Sequence, residues 1–78
     1  MARVRFFAQA REAAGCREAD VDGDTVGAVL DSAVSQFGER LAAIIAMSAV
    51  WLNGERAGRE DPVSDGDEVA VLPPVSGG

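Results

Sequence analysis

A chain of 78 residues makes one domain and can bury about 60–65% of the surface its unfolded form exposes, enough for one modest core. Its composition, 47% hydrophobic and 26% charged, is that of an ordinary globular protein and gives no reason to expect disorder. A net charge of −6 argues against nucleic acid and anionic membranes as partners, and a single cysteine excludes an internal disulfide framework.

The first predicted element is a strand over Arg3-Val4-Arg5-Phe6-Phe7-Ala8, which begins with period-2 alternation and is rich in β-formers. Arg11 to Ala14 suggests a single helical turn stopped by Gly15. Glu18-Ala19-Asp20-Val21 is the economical hairpin partner for the first strand. Val26, Val29, Leu30, Ala33, Val34 and Phe37 then fall on one face of an α-helix. Asp24 or Thr25 supplies its N-cap oxygen, and Gly38 stands where a left-handed residue would end it. Leu41, Ile44 and Ile45 indicate a shorter second helical segment.

Ala49-Val50-Trp51-Leu52 reads as a short apolar strand ended by Asn53-Gly54, a dipeptide that accepts the positive φ angles of a type I′ hairpin turn. Glu55 to Ala57 form the return arm, and Asp61-Pro62 and Asp65-Gly66 mark a loop. Glu68-Val69-Ala70-Val71-Leu72 is the last strand, apolar enough to lie at the centre of a sheet. The order β-β-α-(α)-β-β-β, with the first and last strands parallel and central, gives an α+β fold of β-grasp type over residues 1–72. Residues 73–78 are a tail.

That tail, Pro73-Pro74-Val75-Ser76-Gly77-Gly78, carries the chemistry expected of this chain. Two prolines cannot continue a strand ladder and favour an extended, polyproline-like exit. Six extended residues reach roughly 20 Å. Gly77 and Gly78 have no Cβ, so a narrow channel would admit them. An unhindered terminal carboxylate can be activated by another enzyme, with ATP, to an acyl-adenylate, from which sulfide equivalents would displace AMP to leave a thiocarboxylate. The chain itself has no histidine and only Cys16, which leaves few routes to nucleophilic or metal-assisted catalysis of its own. It is expected to bind no metal and no cofactor. It also has no lysine, so an activated terminus would meet no ε-amine on its own carrier.

Three segments resemble the molybdopterin synthase small-subunit family, ubiquitin-like sulfur carriers: Phe6-Phe7-Ala8-Gln9-Ala10-Arg11-Glu12 with Gly15, Asp65-Gly66-Asp67-Glu68-Val69-Ala70, and the tail. The resemblance implies that Gly78 is adenylated by an E1-like adenylyltransferase and thiocarboxylated by a sulfur donor protein. It further implies that the loaded tail enters the large synthase subunit and gives its sulfur to a cyclic pyranopterin, building a dithiolene. The assembly implied is a heterotetramer of two small and two large subunits. Phe7, Arg11, Leu72, Pro73, Pro74, Val75 and Ser76 match partner-facing positions, with Gly77 and Gly78 as the reacting end. The family often has an aromatic residue where Leu72 stands and an apolar one near Arg56.

Other readings stay open: a carrier for thiazole or cysteine synthesis, a ubiquitin-like modifier joined to lysines through Gly78, or an interaction domain with an inert tail. Trp51 is either a binding anchor or, as is commoner for a strand tryptophan, packed against a helix. Cys16 could carry persulfide sulfur, but it follows a turn glycine and has no neighbouring histidine to activate it. The acidic residues around Asp20 to Asp24 and Glu60 to Glu68 are either a docking surface or a solvated face. With neither a secretory signal nor a membrane span in view, a cytoplasmic location is expected.

Overall fold

The computed structural model describes residues 1–74. Its elements in chain order are β1 (Ala2–Phe6), α1 (Ala8–Ala14), β2 (Glu18–Val21), α2 (Val26–Phe37), α3 (Glu39–Ala46), β3 (Ala49–Leu52), β4 (Glu55–Arg56) and β5 (Glu68–Leu72). The strands form one mixed sheet in the order β2-β1-β5-β3-β4. β1 and β5 run parallel at its centre, with Arg3 opposite Glu68 and Phe6 opposite Val71. All other pairs are antiparallel. This is the β-grasp architecture that the element order implies.

Strand alternation decides which side of the sheet is covered. Ala2, Val4 and Phe6 of β1 and Val69 and Val71 of β5 are buried, with Val50 and Leu52 of β3 packed against them. The 3.6-residue period of α2 turns Val26, Val29, Leu30 and Ala33 onto this surface, and α3 adds Leu41 and Ile44. Phe6 meets Phe37 edge-on, with ring centroids 5.5 Å apart. Burial of each such aliphatic side chain stabilises the fold by about 1.5–3 kcal/mol.

The first turn of α2 shows how a loop can finish a helix. Thr25 is the cap, its Oγ1 accepting the Ala28 N–H at 3.1 Å. The N–H groups of Val26 and Gly27 are taken by the carbonyls of Asp61 and Arg59, so the loop before β5 satisfies donors that the helix leaves open. Asp61 and Asp67 in turn fold that loop by accepting the Gly58 and Ser64 N–H groups, both at 2.8 Å. Replacing Thr25 by Ala should therefore cost about 1 kcal/mol, read as a lower urea midpoint at unchanged m-value.

Several details depart from the sequence reading. β1 starts at Ala2 and stops at Phe6, and α1 spans seven residues where a single turn was expected. Alanine is the best helix former, and the buried Ala10 anchors the segment on the fold. Ala8 adopts φ 50°, which turns the chain from strand to helix within one residue. Gly15 stops α1 as expected, and it does so in the left-handed conformation. Gly38 does not: at φ 105° and ψ 174° it is extended in ψ, because it must close α2 and open α3 at once. Its N–H donates to Val34 and its carbonyl accepts from Leu41.

Asn53 and Gly54 have φ 50° and 86°, the positive pair that a type I′ turn requires. Asn53 also accepts the Glu68 N–H through Oδ1 at 2.9 Å, tying the hairpin to the start of β5. Among the described residues no helix is long and apolar enough to cross a membrane.

Candidate functional site

All three helices leave one face of the sheet uncovered, and the strand register fixes what stands there. Across one row lie Asp20, Arg3 and Glu68. The next row runs Glu18, Arg5, Ala70, Trp51 and Arg56, spanning all five strands. Beyond it Leu72 sits opposite Ala49, with Phe7, still extended at φ −119° and ψ 152°, beside Leu72. Phe7 N–H donates to the Val71 carbonyl at 3.3 Å, which holds it against the end of β5.

The face is therefore graded. Where β1 and β5 begin it is charged, with Arg3 paired to Asp20 at 3.6 Å and Arg5 to Glu68 at 3.8 Å. Where those strands end it is apolar, made by Phe7, Leu72, Ala70, Ala49 and Trp51. Two arginines lie over aromatic rings on either side of this patch. Arg5 stands 5.4 Å from the centroid of Phe7, and Arg56 stands 5.8 Å from that of Trp51. Phe7 is 36% exposed, unusual for a large aromatic residue in so small a domain.

β5 delivers the chain out of the sheet at this apolar end. Pro73 is buried and Pro74 exposed, so the first proline belongs to the body of the domain and the second to its surface. Both lack the N–H that a further ladder bond would need. Val75, Ser76, Gly77 and Gly78 lie outside the described residues. Among the sequence-identified positions, Phe7 and Leu72 are brought together beside the exit of the tail. Arg11 is exposed on α1, and its backbone carbonyl accepts the Gly15 N–H.

Trp51 is a correction. It does not pack against α2 but lies half-buried on the uncovered face, because its neighbours Val50 and Leu52 take the inward positions. All four residues of β3 are apolar, so the sequence carries no alternation to tell inward from outward positions; the register with Val69 and Val71 does. Arg5 was missed and Arg56 was named only as a departure from the family pattern, since the place of both on this face depends on cross-strand register.

Cys16 is half-buried against the edge of the core. Much of the acidic surface has local work: Asp20 and Glu68 hold arginines, and Asp61 and Asp67 hold turns. Asp65 pairs with the α-ammonium of Met1; that hydrogen bond raises the ammonium's pKa above its ordinary value and lowers the carboxyl's.

The ThiS family profile matches residues 4–78, nearly the whole chain and its terminal glycines included. Small archaeal modifier protein 1 of Haloferax volcanii is 38% identical over 84 residues, covering 95% of this chain and 97% of that protein. The molybdopterin synthase sulfur carrier subunit of Escherichia coli is 38% identical over 89 residues, covering both chains completely. Among solved structures, the Amycolatopsis orientalis BexX/CysO complex contains a chain with TM-score 0.86 and 26% identity, each chain covered in full. The complex of subunits 1 and 2 of the molybdopterin-converting factor from Helicobacter pylori contains one with TM-score 0.71 and 28% identity, covering 99% of this chain and 97% of that one. The resemblance carried by the two ends of the sequence is thus borne out along its length, and the chain belongs to the ThiS family of ubiquitin-like β-grasp proteins.

Proposed function

We propose that this chain is a sulfur carrier whose domain is a grip and whose Gly78 carboxyl is the cargo site, serving molybdopterin synthesis. One observation carries the reading: the apolar end of the uncovered sheet face, with Phe7 and Leu72, adjoins the point where β5 passes into the tail. An enzyme that seats this face receives the tail beside it. Activation proceeds by attack of the Gly78 carboxylate on the α-phosphorus of ATP, giving the acyl-adenylate and pyrophosphate. Hydrosulfide supplied by a sulfur donor then attacks the acyl carbon, AMP leaves with the C–O bond electrons, and a thiocarboxylate remains.

The loaded terminus next serves a large synthase subunit, to which it gives sulfur for a pterin dithiolene. Two loaded carriers are consumed for the two sulfurs, in keeping with a heterotetramer of two small and two large subunits. Support comes from the similarity to the Escherichia coli carrier subunit and to the Helicobacter pylori complex of both subunits. A second reading, a modifier joined to lysines of other proteins, is favoured by the equal similarity to the archaeal modifier.

Intact mass separates the two. Incubation with the adenylyltransferase, ATP and a sulfur donor is expected to replace one terminal oxygen by sulfur. Covalent adducts on other proteins without that exchange would support modification instead. Phe7→Ala is expected to weaken association with the adenylyltransferase by about 2 kcal/mol, the cost of truncating a central aromatic anchor, with the fold intact by circular dichroism. Unchanged affinity would place the grip elsewhere.

A further inference from the structure

Each of the two arginines flanking the apolar patch lies over an aromatic ring, but their charges are met differently. Arg5 has Glu68 as a carboxylate partner at 3.8 Å. Arg3, one row away, has Asp20. Arg56 forms no ion pair among the described residues. Its strand neighbour Glu55 pairs with Leu52 in the register, and alternation sends that side chain toward the other side of the sheet. Arg56 is thus an exposed guanidinium, steadied over Trp51 at 5.8 Å, at the edge of an apolar surface in a chain of net charge −6.

A stacked guanidinium keeps its outer N–H groups free for a planar acceptor, and stacking lowers the entropy lost when they bind. A carboxylate fits that fork with two parallel hydrogen bonds. An entirely apolar partner surface would instead strip water from Arg56 and leave the charge unpaired, at a penalty.

We infer that Arg56, held on Trp51, is a specificity element of the grip face, selecting a partner protein that sets an Asp or Glu carboxylate beside an apolar contact. The inference deepens the carrier reading and rests on it for the identity of the partner. Any enzyme that seats Phe7 and Leu72 while reaching across Ala70 meets Trp51 and Arg56 on the far side. A partner built for an apolar residue at that position is rejected, and one with a carboxylate there is retained.

The test measures affinity for the adenylyltransferase of the same organism by titration calorimetry, using wild type, Arg56→Leu and Arg56→Glu. Arg56 is exposed, so all three are expected to fold alike. A facing carboxylate requires the order wild type, then Arg56→Leu, then Arg56→Glu, with Arg56→Leu weaker by about tenfold and Arg56→Glu by more. A facing apolar surface gives the reverse for leucine, which would bind as tightly as wild type or tighter, and that result overturns the inference.

A charge-reversed partner, with the facing carboxylate changed to arginine, is expected to recover binding of Arg56→Glu. Failure of every Asp and Glu at the docking surface to do so also overturns the inference. The mass of the wild-type product is read in parallel. The expected affinity order without exchange of oxygen for sulfur would sink the carrier reading and leave the interface standing. Loading of wild type with equal binding of Arg56→Leu would do the opposite. No association of wild type overturns both.

Discussion

A variant lacking Gly78 is expected to form no thiocarboxylate while melting at the same temperature as the full chain. The terminus would still be a glycine carboxylate, so the chemistry of the group is unchanged. What changes is reach. One extended residue spans about 3.3–3.6 Å, and a misplacement of even ~1 Å can lower the rate of a positioned reaction ~100-fold. On the carrier function proposed above, the activating enzyme and the synthase would each receive the tail while the body is fixed at Phe7 and Leu72, so a shortened arm would leave its carboxylate short of the reacting atoms at each step. The body has no comparable dependence, since its buried cluster runs from Ala2 to Val71 and its last strand closes at Leu72. Mass spectrometry of the loading reaction and a thermal melt of both proteins check the two halves. Retained sulfur loading would remove Gly78 from the mechanism, whereas a fall of several degrees in the melt would give the tail a structural role.

How much of this was legible depended on whether a feature is local. Helix α2 is, because six apolar residues at helical spacing allow no competing reading, and the Thr25 cap sits directly before them. The turn at Asn53-Gly54 is local too, as both residues tolerate positive φ. The parallel pairing of β1 and β5 followed from topology once the strands were recognised. Helix α1 was underestimated because only Ala10 of its residues is buried, so there is almost no periodic stripe to detect. Trp51 was misplaced because its strand is apolar throughout, so only the pairing of Val50 and Leu52 with buried Val71 and Val69 shows which way it faces. The Arg56–Trp51 pair is the least legible feature, since it exists only when the β3–β4 register sets the two residues opposite each other. The chemistry expected of the tail rests on its residue types together with the family resemblance, and residues 75–78 lie outside the described ones.

Leu41→Ala is expected to be the most damaging single truncation of the domain. Leu41 is among the largest side chains with no exposed surface, and it stands on α3 where that helix packs against both α1 and α2. The cost of such a change depends on how far the surroundings collapse into the space, and α3 has little freedom to do so. Gly38 joins its first turn directly to α2, and the Ser48 hydroxyl donates to the Ile44 carbonyl at 2.6 Å at its far end. A loss toward the upper part of the usual ~2–5 kcal/mol range follows. Stability for a domain of this size is about 4–12 kcal/mol, so the variant would approach the limit of folding. At ~4–8 °C per kcal/mol, the melting temperature should fall by more than ~10 °C. Met47→Ala, one residue beyond the same helix but 58% exposed, is the control and should stay within about 0.5 kcal/mol of wild type. Because Leu41 lies on the covered side of the sheet, Leu41→Ala should still accept sulfur at low temperature, where it remains folded. Loss of loading in a variant that keeps its native circular dichroism would mean that the helical layer contributes to recognition, and an unchanged denaturation midpoint would mean that α3 does not pack as described.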